Sequence, residues 1–317
     1  MKKIIVMTLV LLFAAGMTAF ARGADERIRF ATGGVAGTYY PFGTAIASTI
    51  TERTGIPIIV QATGASRANI QLMQAGEVEM ALVQNDVMDY AWRGVDLFAG
   101  EQFTGFRTMA ALYAEVCQII VNPASGIRTV ADLRGRNVSV GDAGSGVEFN
   151  ARQILEAHGI SFSDINRQNL SFAASADALR DGRIDAFFAT AGAPTPAIVD
   201  LALNRDILVL EIAENNAAEL IRRYPFYSRH PIPAGTYRGQ NAQVLTVAVK
   251  ATLIVHSRLS EDTVYNMTKA LFENRAAIAI GHARGADISA SYAVDGIGNV
   301  PFHPGAARYY RETGVLR

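Results

Sequence analysis

Two glycine-containing loops are the parts of this sequence whose residue types and spacing could bind a ligand. The first, Thr32 to Tyr40, follows a predicted strand and opens a predicted helix. Glycines let the backbone approach a ligand closely, and the first N–H groups of a helix point outward unpaired, with a partial positive charge behind them. Gly34, Thr38 and Tyr39 are therefore candidate binding residues for an anionic group.

The second loop, Gly141 to Gly146, lies between another predicted strand and helix in the other half of the chain. It adds Ser145 and Gly146 to the candidates. One such loop could be a turn that only joins a strand to a helix. Two facing loops are what a closing receptor for a carboxylate needs, because closure brings both sets of donors onto one ligand.

Polar residues also end two predicted strands, at the edge where open α/β sheets bind ligands. Gln84 could bond a carboxylate or an amino group, and Asp86 could be a helix cap or a ligand contact. Thr63 ends the neighbouring strand, and Ser66 could be a cap, a contact or both.

Several other chemistries fit poorly. Gly33, Gly34 and Gly37 have the wrong spacing for a dinucleotide site, and the second strand ends in Gln61 instead of an acidic residue. Ser145 is not the centre of a hydrolase G-x-S-x-G motif, because neither position 143 nor position 147 is glycine. The five histidines are dispersed, so we expect no metal site, no cofactor and no catalytic residue.

The amino-acid composition excludes further classes of protein. Without Lys2 and Lys3 the 29 basic residues become 27, against 29 acidic ones, and the arginines are scattered, so we expect no nucleic-acid partner. Half of the chain is apolar, which suits large buried cores. The single cysteine, Cys117, has apolar neighbours and is expected to be a buried, inert thiol.

The N-terminus has the features of a cleavable signal peptide over residues 1–21. Lys2 and Lys3 precede the apolar run Ile4 to Ala15, and Ala19-Phe20-Ala21 supplies an A-x-A cleavage pattern. We expect a soluble, periplasmic mature protein that begins at Arg22 and, with Cys117 far from that end, carries no lipid.

The elements that must position these loops alternate between strands and helices, which predicts open α/β layers. The predicted strands are Ile28–Ala31, Ile58–Gln61, Met80–Gln84, Val138–Gly141, Ile184–Phe188 and Val244–Val249. The predicted helices are Tyr39–Arg53, Ala68–Ala75 after a Ser66 cap, one capped by Asp86, Val147–His158, one starting near Pro196, and Glu261–Glu273. Residues 224–239 are rich in turn-forming proline and glycine.

We interpret this order as two α/β lobes. Residues 22–117 and 243–317 form a discontinuous first lobe, and residues 118–242 form an inserted second lobe. The apolar strands Val116–Asn122 and Gln243–Val249 would be the two crossings of a hinge, since extended strands can twist without disturbing either core.

The chain also resembles the TAXI class of solute receptors that serve TRAP (tripartite, ion-gradient-driven) transporters. The resemblance covers Ile28 to Gly314 and depends on these motifs: Ala31–Gly34, Gly37–Pro41, Val83–Asp86, Asp132–Gly135, Val140–Gly141, Gly144–Gly146, Pro194–Ile198, Tyr224–Tyr227, Ile232–Tyr237, Thr268–Glu273 and His303–Ala306. It implies a type II periplasmic-binding-protein fold, a ligand such as glutamate, glutamine or a related dicarboxylate, and TRAP permease membrane subunits as partners. Carried over by motif, Thr190 joins the candidate ligand-binding residues.

The sequence departs from that class in two places. Ala36 replaces a frequent glycine, and Val147-Glu148 replace a common Thr-Arg pair, so Glu148 would repel a carboxylate that an arginine would hold. We therefore expect a monomeric receptor that binds a small organic anion between its lobes without chemistry. The alternatives are a ligand-sensing module of a signalling system and a periplasmic enzyme on the same fold.

Overall fold

The structure, a computed structural model, describes residues 27–317. The predicted signal peptide therefore lies outside the described residues. In the part of the chain that is described, no helix has the length and apolar character needed to cross a bilayer.

The described chain folds into strands and helices that alternate through most of its length. The strands are β1 (Ile28–Ala31), β2 (Ile58–Gln61), β3 (Met80–Gln84), β4 (Phe106–Val121), β5 (Asn137–Ser139), β6 (Asn166–Gln168), β7 (Ala186–Ala191), β8 (Leu208–Val209), β9 (Ser228–Ile232) and β10 (Val244–His256). The α-helices are α1 (Tyr39–Thr54), α2 (Ser66–Gln74), α3 (Asn85–Arg93), α4 (Gly146–Ala157), α5 (Phe172–Arg180), α6 (Pro196–Asn204), α7 (Glu214–Arg223), α8 (Glu261–Glu273), α9 (Arg275–Gly281), α10 (Ala290–Ala293) and α11 (Pro304–Glu312). Short 3-10 helices cover Asp96–Phe98, Pro123–Ser125, Val130–Leu133, Phe162–Asp164 and Ala283–Asp287.

The strands join into one mixed sheet in the order β2-β1-β3-β10-β4-β7-β5-β6, with β9 beside β10 and β8 beside β4. The outer strands at both ends pair in parallel, as helical crossover connections require. The central pairs β3–β10, β10–β4 and β4–β7 are antiparallel. This mixed α/β sheet with helices packed on it confirms the predicted fold class.

Strands β4 and β10 each pair with strands from both halves of the sheet. The first part of β4 pairs with β10, whereas its last residues pair with β7 and β8. Likewise β10 pairs first with β9 and then, from Ala251 onward, with β3. Side chains alternate across a strand, so each of these two strands contributes to cores on both faces of the sheet.

Four apolar clusters surround these two strands. On one face, Tyr113 of β4 packs in a cluster with α1 and α8, and Cys117 packs in a second cluster with α4. On the other face, Val116 belongs to a cluster with α5 and α6, and Ile254 of β10 belongs to a cluster with α2 and α3. Each face therefore has two separate cores, one toward each end of the sheet.

Several predicted boundaries need correction. The crossing predicted at Val116–Asn122 is the end of a strand that begins at Phe106, and the strand predicted to end at Val249 continues to His256. These strands are long because their apolar side chains are buried on both faces. The turn-rich stretch 224–239 contains β9, which sequence reasoning missed because Pro231 interrupts its pattern. Pro231 is tolerated there because proline is confined to edge strands.

The two predicted helix caps are also wrong. Helix α2 begins at Ser66 itself, after Ala65 in the cap position with φ 66°, and the Ser66 hydroxyl accepts a 3.1 Å hydrogen bond from the Gln84 N–H. Helix α3 begins at Asn85, so Asp86 lies inside its first turn, where Oδ1 accepts a 2.8 Å bond from the Val87 N–H. In both cases the helix starts earlier than predicted, and neither side chain accepts a capping hydrogen bond.

Candidate functional site

A cavity of about 210 Å³ is lined by residues from both halves of the sheet. The N-termini of α1, α2, α4 and α5 all contribute to its wall, together with the ends of β3 and β7 and the middle of β4. The N-terminus of a helix presents unpaired N–H groups and a partial positive charge. This cavity is therefore suited to a small molecule that carries a negative group.

The loop before α1 forms one wall. The Gly37 N–H closes a turn on the Gly34 carbonyl at 2.9 Å, which fixes the entry to the helix. The Thr38 hydroxyl does not cap the helix but donates to the Gly192 carbonyl across the cleft at 3.2 Å. No acidic residue stands in the first turn of α1, so the positive end of that helix is not neutralised there. Gly34, Thr38 and Tyr39 all line the cavity.

The loop before α4 forms the opposite wall. Ser145 is the N-cap of α4, and its hydroxyl accepts a 3.2 Å bond from the Glu148 N–H. Gly141 and Gly144 have φ values of 89° and 73°, which only glycine adopts without strain. Ser145 and Gly146 line the cavity, as does Asp142, whose side chain is at its exposed rim.

Glu148, which was expected to repel a carboxylate, does not line the cavity. Its carboxylate accepts a 2.6 Å bond from the Gly144 N–H and a 3.1 Å bond from Asn169 Nδ2. It also pairs with Arg167 at 3.3 Å. Glu148 therefore stabilises the glycine loop through hydrogen bonds. Its charge is paired with groups on its own side of the cleft.

Gln84 and Gly146 meet across the cavity from opposite halves of the chain. A Cβ atom at position 146 would overlap the Gln84 side chain, so only glycine permits this approach. Gln84 is 2% exposed, and its Oε1 is buried without a hydrogen-bond partner among the described residues. A buried acceptor without a partner costs folding free energy, and a hydrogen-bond donor on a ligand would remove that cost.

Glu115, on β4, is a cavity-lining residue that sequence reasoning missed. It is 2% exposed, and its Oε2 accepts a 2.7 Å hydrogen bond from the Tyr39 hydroxyl. Burial raises the pKa of the Glu115 carboxyl to about 8, although the Tyr39 bond opposes that rise. The sequence signal was present, because an acidic residue inside an otherwise apolar buried strand is unusual.

Three further candidate residues also belong to the cavity wall. Thr63, Ser66 and Thr190 line the cavity. The Thr63 hydroxyl is engaged with the Thr32 carbonyl at 3.0 Å, and the Thr190 hydroxyl contacts Cys117 Sγ at 3.5 Å. Burial raises the pKa of the Cys117 thiol to about 12, which agrees with its expected inertness.

Asp86 does not line the cavity. It is fully buried beside it, and its Oδ2 accepts a 3.1 Å bond from Asn150 Nδ2 on α4. Asn150 bonds in turn to the Tyr227 hydroxyl at 2.7 Å, and Tyr227 donates to Gln153 Oε1 at 2.7 Å. Asp86 is thus part of a buried polar network that joins α3 to α4, and burial raises its pKa to about 7.

The charge of the cavity wall is unusual for an anion site. No arginine, lysine or histidine belongs to the described wall, whereas the carboxyl groups of Glu115 and Asp142 do. Helix N-termini and hydroxyls must therefore hold any anionic group. Throughout residues 27–317, no three histidine, cysteine or acidic side chains cluster as a metal site would require.

Comparison with models of protein families identifies the family of this chain. The model of the NMT1-like family matches residues 30–314, nearly the whole described length. This chain belongs to the NMT1-like family.

Solved structures with the same fold extend the comparison. The NMT1-like chain is similar to PhnD1 from Prochlorococcus marinus in complex with methylphosphonate (TM-score 0.56, 9% identity, covering 92% of this chain and 99% of that one). It is also similar to the alkanesulfonate-binding protein SsuA from Xanthomonas axonopodis pv. citri bound to MOPS (0.51, 15%, 93% and 96%). The GluR0 ligand-binding core in complex with L-glutamate matches as well (0.50, 11%, 83% and 98%). These similarities confirm the type II periplasmic-binding-protein fold.

Proposed function

We propose that this protein is a periplasmic solute receptor. It captures a small organic molecule with an anionic group, such as a glutamate-like amino acid or a dicarboxylate, and delivers it to a membrane transporter of the TRAP type. The observation that carries the proposal is the cavity, whose wall combines four helix N-termini from both halves of the chain. Gly34, Thr38, Tyr39, Thr63, Ser66, Gln84, Ser145, Gly146 and Thr190 are the proposed ligand-binding residues.

Asp86 was predicted as a ligand contact, and we now propose a different role for it. Its hydrogen bond to Asn150 connects α3 to α4 beside the cavity, so it would hold the two halves together when they are closed. The ion pair between Arg152 and Asp96, at 2.8 Å, joins the same two halves further out. Neither contact reaches the open space of the cavity.

We further propose that residues 22–117 with 243–317, and residues 118–242, are two lobes that open and close about β4 and β10. These strands support the idea because each contributes to the clusters at both ends of the sheet. Across the cleft, the Ala197 N–H bonds the Ala36 carbonyl at 3.2 Å, and Thr38 bonds Gly192. Such contacts would break on opening and re-form when a ligand is enclosed.

A thermal-shift screen of the protein that begins at Arg22 tests the receptor proposal. The panel contains amino acids, dicarboxylates, 2-oxo acids and neutral sugars, together with methylphosphonate and MOPS, which are bound in the solved structures above. A ligand that binds only the folded state raises the midpoint by mass action. A shift with anionic compounds is expected, and shifts with neutral sugars alone would contradict the anion-binding cavity.

The transporter partner needs its own experiment. Deleting a TRAP permease gene that neighbours the gene for this protein should abolish uptake of the bound solute. Uptake in the undeleted strain should depend on the sodium gradient. Uptake that survives this deletion and depends on ATP would contradict the TRAP assignment. Co-purification with a sensor kinase would instead support the ligand-sensing alternative, and turnover of a bound compound would support the enzyme alternative.

A further inference from the structure

We propose that Gln84 and Glu115 form a subsite that accepts hydrogen bonds from a cationic amino group, so that the cavity prefers an α-amino acid to the 2-oxo acid of the same carbon skeleton. This inference rests on the proposed receptor function and deepens it by naming the ligand class. It assigns to the ligand a second recognised group besides its anionic one.

The sheet places these two side chains on one face. Gln84 lies opposite Ala251 of β10, and Glu115 lies opposite Val249 of the same strand. Directly opposed residues point to the same side of a sheet, and residues two apart on one strand do so too. Gln84 and Glu115 therefore flank β10 on the same face, where both line the cavity.

That face has an apolar core on either side of the cavity. Tyr113, two residues before Glu115, packs in the cluster with α1, and Cys117, two residues after it, packs in the cluster with α4. Leu82 similarly precedes Gln84 in the first cluster. The two polar side chains thus replace apolar ones at the break between the cores, where the cavity lies.

Both side chains offer acceptors that the protein itself does not saturate. Gln84 Oε1 is buried without a partner among the described residues. The Glu115 carboxyl takes part in no ion pair within residues 27–317, and its hydrogen bond comes from the neutral Tyr39 hydroxyl. A buried carboxyl normally has a cationic partner, so its absence from the protein points to one supplied by the ligand.

The groups around Glu115 favour the same conclusion. The groups that act on the pKa of Glu115, or whose own pKa Glu115 affects, are Tyr39, Asp86, Tyr113, Cys117 and Tyr292. None of them is a cation. Arg284, which acts on Tyr113, pairs with Asp287 at 2.8 Å, and Lys250 on β10 pairs with Asp295 at 2.9 Å.

The two ligand classes make opposite demands on this subsite. An ammonium group donates up to three hydrogen bonds and brings a positive charge, which matches an amide oxygen and an ionised carboxylate. A 2-oxo group brings only acceptors, so Gln84 Oε1 would stay unpaired against it. The helix N-termini would hold the carboxylate of either ligand equally well.

Matched pairs of ligands test this inference with the protein that begins at Arg22. The pairs are L-glutamate with 2-oxoglutarate, L-leucine with 4-methyl-2-oxopentanoate, and L-alanine with pyruvate, each titrated by calorimetry. We expect the amino acid of the best-binding pair to bind at least ~10-fold more tightly than its 2-oxo acid, as a charge-assisted bond to a buried group predicts. Preference for the 2-oxo acid in every pair that binds overturns the inference but leaves the receptor proposal intact. Absence of binding by these six compounds and by every anion of the thermal-shift screen overturns both.

Two variants separate the subsite from a general effect of charge. Glu115→Gln should reduce amino-acid affinity by ~10-fold or more and leave that of the 2-oxo acid within about threefold. Asp142→Asn removes a carboxyl from the rim of the same cavity and should preserve the amino-acid preference. An unchanged preference in a Glu115→Gln variant that folds and binds ligand overturns the inference.

Proton release gives an independent readout. Binding of an ammonium group should ionise Glu115, because burial raises the pKa of its carboxyl to about 8. The measured heat at pH 7 should therefore depend on the ionisation heat of the buffer for the amino acid, and should lose this dependence in Glu115→Gln. Equal buffer dependence in the two proteins contradicts the proposed role.

Discussion

The Tyr39 hydroxyl donates a 2.7 Å hydrogen bond to Oε2 of Glu115, joining the first residue of α1 to the middle of β4. Both side chains are buried, and both line the cavity. The bond lowers the pKa of the Glu115 carboxyl against the larger effect of burial. Tyr39 therefore influences both the position and the ionisation of the acidic group that lines the cavity.

Replacing Tyr39 with phenylalanine should weaken amino-acid binding about 5- to 30-fold, because the loss of one hydrogen bond to a charged group costs about 1 to 2 kcal/mol. The pH at which affinity reaches its maximum should also rise, since Glu115 then ionises less readily. Calorimetric titrations between pH 6 and 9 measure both effects. Tyr40→Phe, at a neighbouring position outside the cavity wall, is the control. Equal affinities in the two variants would remove Tyr39 from the site.

Ser145→Ala should lower both stability and affinity. The Ser145 hydroxyl caps α4, and removing such a cap costs about 1 kcal/mol of unfolding free energy. Ser260→Ala is a matched control, because Ser260 caps α8 by accepting a 3.1 Å bond from the Thr263 N–H far from the cavity. Urea titrations should show similar stability losses in both variants. Only Ser145→Ala should weaken ligand binding, and a loss shared by Ser260→Ala would attribute the effect to stability.

Gly146→Ala should reduce affinity at least ~10-fold while stability stays unchanged or rises, since alanine is favoured over glycine in a helix. The added Cβ would displace the Gln84 side chain across the cavity. The double variant Gly146→Ala with Gln84→Ala restores the space and should close no worse than Gln84→Ala alone. Small-angle scattering with ligand present would report closure. A normally closed Gly146→Ala variant would show that this contact is dispensable.

Stability should fall as the pH rises from about 4 to 7, in part because of Asp86. Its folded pKa is about 7, well above the usual value near 4, so the unfolded chain ionises first and binds fewer protons than the folded one. Asp86→Asn cannot ionise, and should reduce this decline by about 3 kcal/mol. Urea titrations at several pH values measure the difference. An identical pH dependence in the two proteins would mean that Asp86 is ionised in the folded state.

Several elements around the cavity could be predicted from the local sequence pattern. Strands β1, β2 and β3 have the predicted bounds, because short apolar runs ended by turn residues leave little ambiguity. Helix α6 begins at Pro196 as predicted, since proline is favoured in the first turn. The two glycine loops, identified by type and spacing, do lie on opposite walls of one cavity.

Other features depend on contacts that a single sequence does not display. Glu115 lies within an apolar strand, and only the fold shows that this point of β4 faces the gap between two cores. The role of Glu148 depended on which way its side chain turned, and Gly144 and Asn169 determine that. The Asp86 network joins residues far apart in the chain, so no local pattern could predict it.

The position of β10 in the sheet also has a consequence for synthesis. This strand lies between β3 and β4, yet it follows them by more than a hundred residues in the chain. While a ribosome is still producing the middle of the protein, β3 and β4 both lack their central neighbour, and the core around α1 lacks α8. Long-range pairing of this kind is slow. The first half of the nascent chain should therefore lack its complete sheet and core until late in translation.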